Sequence, residues 1–278
     1  MKNYIKAGGS SKIGNYIKAV ASGPALDPDA AAFLTAASIT DPTITSAINT
    51  LVLDMKGYGI WTKMKAIYPM VGGTAITHKY NLKDPQDLDA AFRLVFNGGW
   101  THSSTGAKPN GINAYADTFL TPSTSLSLNS THVSYYSRTN SNLTEVEIGS
   151  STSNSATDNK IVLEIRTSGI SYYNVNATST YITHADSDSR AFYIANRTAL
   201  NVINGWRNGA SLATGTVFST GLSTTKIYLG AFNQNLSIDY YSTKECAFAS
   251  IGDGLTNTEA ADFYSAVQAF NTTLSRQV

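Results

Sequence analysis

Two acidic side chains alternate along a predicted strand near the middle of the chain. Glu145 and Glu147 flank Val146 in the segment 144–149, so a strand there would turn both carboxyl groups toward one face of a sheet. A pair of carboxyl groups on the two sides of a glycosidic bond is the arrangement that hydrolyses it. Two solvated acids on the outer face of a sheet are the alternative interpretation.

A second acidic pair has the chemistry of a hard-cation site. Asp186 and Asp188 are separated by one serine, and carboxylate oxygens are the ligands that Ca²⁺ prefers. The segment lacks the glycine and the distal glutamate of an EF-hand loop, and a solvated turn is the alternative. The four histidines have no metal-ligand spacing. We therefore expect no cofactor, with calcium at Asp186 and Asp188 left open.

Aromatic side chains supply a third kind of chemistry, because an amphipathic ring can stack on a sugar or pack between subunits. A long segment without clear periodicity runs from Trp100 to Phe119, and such segments in compact domains are often functional. If the protein binds a glycan, we expect the site here, with two stacking rings and three polar partners: Trp100, His102, Asn110, Asn113 and Tyr115. Ordinary packing of these rings in the fold is the alternative.

The elements that would position these residues are mostly short strands. Segments with alternating or apolar patterns recur between turn-rich gaps at 76–82, 92–96, 125–128, 132–138, 144–149, 160–166, 171–175, 190–196, 226–232 and 245–251. This spacing predicts two packed antiparallel sheets, each with one buried face. Asn208-Gly209 between strand-like flanks predicts a tight hairpin, since both residues tolerate positive φ.

Helices are predicted at the two ends of the chain. Asp27-Pro28 and Asp41-Pro42 are helix-start signals, and we expect a third short helix over 61–68. Thr256 and Glu259 have the spacing of a capping box for a helix at 256–274. We expect an extended docking or disordered segment at 1–24, a small helical segment at 25–72, and a sandwich at 73–278 that includes the last helix.

The order of hairpin, strand with an internal glycine, strand and capped helix at residues 206–264 resembles the C-terminal end of laminin-G-like, concanavalin A-like jelly-roll domains. From about Asp27 onward the chain resembles a family of bacteriophage virion proteins, on the segments 46–51, 59–69, 89–93 and 251–254. The resemblance implies a mainly β fold: a jelly-roll sandwich of two antiparallel sheets, preceded by a small helical segment. Jelly-roll domains often hold calcium in irregular loops. Jelly-roll glycosidases have a third carboxylate on the strand that carries the other two, and here Ile148-Gly149-Ser150 follows instead.

The composition and the distribution of charge exclude some classes of function. Charged residues make up 14% of the 278 residues, against roughly 25% in typical globular chains, and the net charge is +1 without a basic run. The electrostatic signature of a nucleic-acid binder is therefore absent. We see no apolar leader and no stretch of about 20 apolar residues that could span a membrane, so we expect synthesis in the host cytoplasm without export.

Together these observations predict a non-enzymatic bacteriophage virion protein, in a tail, a tail fibre or a capsid decoration. It would contact other virion proteins through residues 1–24, form a homo-oligomer, and display a jelly roll that binds host surface glycan, without nucleic acid or membrane as a partner. The alternatives are a polysaccharide-degrading enzyme on the same fold, acting through Glu145 and Glu147, and an architectural subunit without a ligand.

Overall fold

The computed structural model describes residues 25–235 and 237–278. The predicted docking segment 1–24 lies outside the described residues. Within them there are five α-helices: α1 (Pro28–Ala36), α2 (Pro42–Gly57), α3 (Ala75–His78), α4 (Pro122–Ser125) and α5 (Asn257–Thr273).

The three long helices begin as the sequence predicts. The side chains of Asp27 and Asp41 accept hydrogen bonds from the backbone N–H groups of Asp29 and Ile44, and a proline follows each cap. At α5, Thr256 and Glu259 form the capping box in both directions. These three predictions of helix starts are confirmed.

The described residues also form seventeen strands. The first nine are β1 (Met64–Tyr68), β2 (Val95–Asn97), β3 (Trp100–Ser103), β4 (Gly106–Pro109), β5 (Tyr115–Asp117), β6 (Thr131–Ser137), β7 (Ile148–Ser151), β8 (Lys160–Thr167) and β9 (Ile170–Ala177). The others are β10 (Ile182–Ala185), β11 (Ala191–Ala199), β12 (Val202–Arg207), β13 (Ala210–Thr216), β14 (Tyr228–Leu229), β15 (Phe232–Asn233), β16 (Ile238–Asp239) and β17 (Cys246–Gly252).

The strands form two sheets that lie face to face. One has the order β13-β12-β11-β6-β17-β4-β3, with β1 also paired to β17. The other has the order β10-β9-β8-β7-β14-β5-β2, with β15 and β16 attached at β7. The pairs are antiparallel except for β15 beside β7, which is parallel. The predicted hairpin joins β12 to β13, and Asn208 and Gly209 have φ of 49° and 75° there. The chain therefore adopts the predicted fold class, a mainly β, concanavalin A-like jelly-roll sandwich with a helical segment before it.

Alternation along the strands divides their side chains between two cores. Tyr135 and Tyr193 point between the sheets, where they meet Ile161 and Leu163 of β8 in one large apolar cluster. Their neighbours in sequence on the other face of the eight-stranded sheet pack against α1, α2 and α5, with members such as Tyr136, Phe192, Phe248, Phe33, Ile48, Leu51, Phe263 and Phe270. We call this eight-stranded sheet the helix-covered sheet and the nine-stranded one the open sheet, because the three long helices pack on the first.

Several predicted elements differ from the structure. The predicted third helix at 61–68 is wrong: residues Trp61–Lys63 form a 3₁₀ turn, and β1 follows it and pairs with β17. Residues 76–82, predicted as a strand, include α3, whose N-terminus is capped by Thr74. Residues 125–128, also predicted as a strand, begin with the last residue of the short helix α4, which starts at Pro122. In each case local turn or cap chemistry, or pairing with a distant strand, outweighs the short-range pattern.

Among the described residues, no helix is both long enough and apolar enough to cross a membrane.

Candidate functional site

The outer face of the open sheet carries a groove of about 300 Å³. Its floor is Val162 at the middle of β8, packed against Val146 and Phe232 in a small apolar cluster separate from the two main cores. Val162 lies on this face because Ile161 and Leu163 on either side of it point into the sandwich. The groove is therefore built on the backbone of a strand that is paired on both sides.

Aromatic side chains form the walls of the groove. Tyr181, just before β10, stands on one side, and its ring meets that of Tyr172 edge-on at 6.1 Å between centroids. Phe232 and Tyr240, from the β15–β16 hairpin, stand on the other side with their centroids 6.3 Å apart. Tyr240 is 48% exposed, so the ring keeps a face toward solvent.

Charged side chains lie along the floor. Lys160 and Glu164 flank Val162 at alternate positions of β8, and both line the groove. Burial raises the pKa of the Glu164 carboxyl and lowers the pKa of the Lys160 ammonium, because each loses contact with water. Burial also raises the pKa of Tyr181 to about 12, so its hydroxyl stays protonated near neutral pH and can donate a hydrogen bond. The groove thus presents a carboxyl group, an ammonium group and a phenol in a partly desolvated setting.

A second cavity of about 400 Å³ continues the groove past one end. The two cavities share Asn154, Ser155 and Gln234. The second is otherwise lined by Ser153, Asn235 and Ser237, so its lining is uncharged and hydrogen-bonding. The combined surface changes from aromatic to amide and hydroxyl along its length.

The five residues predicted to bind glycan do lie in one neighbourhood, but their polar groups mostly bond within the protein. Trp100 packs against the core between the sheets, and its indole N–H donates to the carbonyl oxygen of Asn97 at 3.0 Å. Asn110 donates to the Asn113 side chain at 2.8 Å, and Asn113 in turn accepts from the backbone N–H of Gly99.

Two further residues of this predicted set are paired with other rings. His102 is 2.9 Å from His78 between their Nδ1 atoms. Tyr115 stacks on Tyr228, with centroids 4.7 Å apart and an interplanar angle of 22°. Ala116 and Leu229 beside them point into the core, so this tyrosine pair lies on the outer face of the open sheet, the face that carries the groove. A glycan at these five residues stays a prediction from the sequence.

The two aspartates of the predicted calcium site are each engaged by protein donors. Asp186 is buried; its carboxylate accepts a hydrogen bond from the Tyr193 hydroxyl at 2.5 Å and lies 3.5 Å from the Arg207 guanidinium. Asp188 pairs with Arg190 at 2.7 Å. Within residues 25–235 and 237–278, no group of three or more His, Cys, Asp or Glu side chains is arranged to hold a metal ion.

The expectation that Glu145 and Glu147 are exposed acids on a strand is wrong. Both precede β7 and are buried, with exposed fractions of 1% and 0%. Lys244, also fully buried, donates to Glu145 at 2.6 Å and to Glu147 at 3.0 Å. The ammonium group compensates much of the cost of burying these charges, which an isolated carboxylate could not meet.

Sequence reasoning missed Glu164, Tyr181 and Gln234 as residues of one site. A signal for Glu164 is present, because Lys160 and Glu164 share the face of β8 opposite to Ile161, Leu163 and Ile165. Tyr181 and Gln234 come from loops whose approach to β8 depends on the sheet order. No local pattern in the sequence encodes that approach.

Known proteins were compared with this chain by sequence and by structure. No protein-family model matches the sequence, and no curated protein sequence matches it. Among solved structures, domain 4 of AbnA, a GH43 extracellular arabinanase from Geobacillus stearothermophilus in complex with arabinotriose, aligns at 13% identity and a TM-score of 0.47, over 72% of this chain and 98% of that one.

Two sialidase structures align over smaller parts of the chain. The CBM40 domain of the Ruminococcus gnavus IT-sialidase aligns at 16% identity and a TM-score of 0.35, over 46% of this chain and 77% of that domain. The Trypanosoma rangeli sialidase in complex with sialic acid aligns at 12% identity and a TM-score of 0.45, over 63% of this chain and 30% of that enzyme. The class that the present structure itself defines is a two-sheet jelly roll with helices on one side and a groove on the other.

Proposed function

We propose that the protein binds a glycan in the groove on the outer face of the open sheet and does so without cleaving it. The observation that carries the proposal is the combination of tyrosine and phenylalanine walls around a floor that bears Glu164 and Lys160. A sugar ring has apolar C–H faces and a rim of hydroxyl groups. Aromatic side chains match the faces, while carboxyl, ammonium and amide groups match the rim.

Binding without cleavage is supported by the placement of the carboxyl groups. A glycosidase needs two carboxyl groups that flank the scissile bond. Glu145 and Glu147 are enclosed with Lys244 and do not line the groove, whereas Glu164 is the acid among the described groove-lining residues. A groove lined by one acidic side chain favours a binding site over the active site of a polysaccharide-degrading enzyme.

We further propose that the chain is a structural protein of a bacteriophage virion, in which the jelly roll is displayed outward and the chain associates with other virion proteins and with its own copies. The support is the sequence resemblance at segments 46–51, 59–69, 89–93 and 251–254. Mass spectrometry and electron microscopy of purified particles test this part. The protein is expected in the particles, and its recovery in the soluble host fraction alone would contradict the assignment.

A glycan array tests the binding proposal directly. The wild-type protein is expected to bind a restricted set of glycans. Tyr181→Ala should weaken that binding by about two- to twelvefold, the effect of losing one aromatic stacking partner worth roughly 0.5–1.5 kcal/mol. Tyr58→Ala is the matched control, because Tyr58 is 42% exposed at the end of α2, outside the groove. An array without any bound glycan would instead support an architectural subunit, and equal losses in both variants would place the site elsewhere.

A further inference from the structure

The buried cluster of Lys244, Glu145 and Glu147 places an amine against two carboxyl groups in the interior of the protein. Glu145 and Glu147 lie just before β7 of the open sheet, and Lys244 lies just before β17 of the helix-covered sheet. The Lys244 Nζ atom is 2.6 Å from the Oε1 atom of Glu145 and 3.0 Å from that of Glu147, and all three side chains are at most 1% exposed. An amine and a carboxyl group held in contact in this way react as one molecule and not as two, which removes much of the entropic barrier.

The net charge of the buried cluster favours the uptake of a proton. Two carboxylates and one ammonium carry a net charge of −1, so the buried cluster gains by taking up one proton. Burial, together with the nearby Glu145 carboxyl and against the opposing effect of Lys244, raises the pKa of the Glu147 carboxyl to about 7. Amide formation requires a neutral amine and a carboxylic acid, so the reactive arrangement is the one in which a proton has moved from Lys244 to Glu145 while Glu147 keeps its own proton.

The hydrogen-bond donors around Glu145 are suited to a carboxyl group to which an amine adds. Its oxygens accept hydrogen bonds from the hydroxyl of Ser141 at 2.7 Å, from the hydroxyl of Thr243 at 3.1 Å, and from the backbone N–H of Thr243. Donors fixed around a carboxyl group stabilise the oxyanion that forms when an amine adds to it. These three donors are independent of Lys244.

Glu147 is held in a position to move protons. Its Oε2 atom accepts from the backbone N–H of Ile165 at 2.6 Å, and its Oε1 atom faces both Lys244 and the hydroxyl of Ser242, which donates at 3.1 Å. These contacts fix the carboxyl group beside the amine. A carboxyl group with a pKa near neutrality can both accept a proton from the amine and donate one to a leaving hydroxyl group.

We propose that Lys244 and Glu145 form an intramolecular amide bond, with Glu147 as the group that relays the protons. The Nζ atom of Lys244, as a neutral amine, adds to the Cδ atom of the protonated Glu145 carboxyl group; the Glu147 carboxylic acid accepts one proton from the nitrogen and gives its own proton to the departing hydroxyl of Glu145. One C–N bond forms, one C–O bond breaks, and one water molecule leaves. No oxidant, reductant or further reactant takes part.

The bond would join the two sheets covalently across a sequence separation of 99 residues. Such a cross-link closes a loop in the unfolded chain, lowers the conformational entropy of that chain and so disfavours unfolding, as a disulfide does. The chain's single cysteine leaves it without an internal disulfide, so the amide would be its covalent tie between the sheets.

Intact-mass spectrometry of the purified, folded wild-type chain tests the proposal. The expected mass is that of the sequence less one water molecule, and proteolysis should release a branched peptide that joins Lys244 to Glu145. A wild-type protein that keeps the full sequence mass after incubation near pH 6, where Glu147 is largely protonated, would overturn the proposal.

Two controls define the chemistry. Glu147→Gln retains both bonding partners and removes the proton relay, so it is expected to keep the full mass; cross-linking at the wild-type rate would contradict the role of Glu147. The ion pair of Lys63 and Glu259, 2.5 Å apart and partly exposed, is the internal control within the same spectra. Its peptides should be recovered separately, and a cross-link there would show that contact alone produces the signal.

Discussion

The outer faces of the two sheets are built from opposite kinds of side chain. On the helix-covered sheet, large apolar residues such as Phe192 and Phe248 point outward and are buried under α5. On the open sheet, the corresponding positions carry Lys160, Glu164 and tyrosines around one small apolar floor. The same alternation that fills the shared interior therefore produces one face that needs a helical layer and one that remains available for a ligand.

The outer face of the helix-covered sheet therefore contributes mainly to stability, and that of the open sheet mainly to ligand binding. Removing a ring from the helix-covered face leaves a cavity in a packed core, whose cost depends on how far the neighbours can relax. Removing a ring from the open face leaves solvent in its place, with little effect on folding. Variants on the helix-covered sheet should therefore lose stability, whereas variants on the outer face of the open sheet should lose glycan binding and keep their stability.

The largest difference in stability is expected for Phe263 of α5. Its ring is fully buried and contacts Phe192, Phe248 and His132 edge-on, with centroid distances of 5.2, 5.8 and 5.9 Å. Phe263→Ala should lower the free energy of unfolding by about 3–5 kcal/mol. Tyr240→Ala on the open face is the control and should change it by no more than about 0.5 kcal/mol. Urea denaturation monitored by circular dichroism measures both, and similar losses would contradict the division of roles.

A smaller, pH-dependent effect is expected for Glu164. Because burial raises the pKa of this carboxyl in the folded protein, its contribution to stability is fully present below the unfolded pKa, near 4.5, and is lost as the pH rises through the folded pKa. Glu164→Gln stays neutral at every pH. It should match the stability of the wild type at pH 4 and be the more stable of the two at pH 8. Urea denaturation at the two pH values gives the comparison; a variant less stable than the wild type at pH 8 would show that the ionised carboxylate is stabilised in the groove.

The fold class was predictable from the sequence because its signals are local and repeated. Most of the short alternating segments are strands in the structure, and the Asn208-Gly209 turn and the Thr256–Glu259 capping box appear at the expected place. The error at residues 61–68 arises because the pairing there is distant. Strand β1 is held by β17, almost 190 positions later in the chain, and the residues of β1 alone have an equally good helical pattern.

The candidate site was less predictable than the fold. The sequence drew attention to the Trp100–Tyr115 segment, in which Trp100 packs against the core and only Tyr115 lies on the open face. The groove itself combines β8 with a residue before β10 and with the β15–β16 hairpin, so it depends on the order of strands in the sheet. Likewise, the burial of Glu145 and Glu147 follows from Lys244, about 100 residues away, and alternation around Val146 cannot indicate it.

The central claim is that the open sheet, and not the helix-covered one, receives the glycan. Carbon-13 NMR of labelled tyrosine rings, recorded during titration with a glycan that the array identifies, measures this residue by residue. Shifts are expected at Tyr172, Tyr181 and Tyr240, while Tyr58 and Tyr264 on the helical side stay unchanged. Shifts at Tyr58 or Tyr264, with Tyr181 and Tyr240 unmoved, would contradict it.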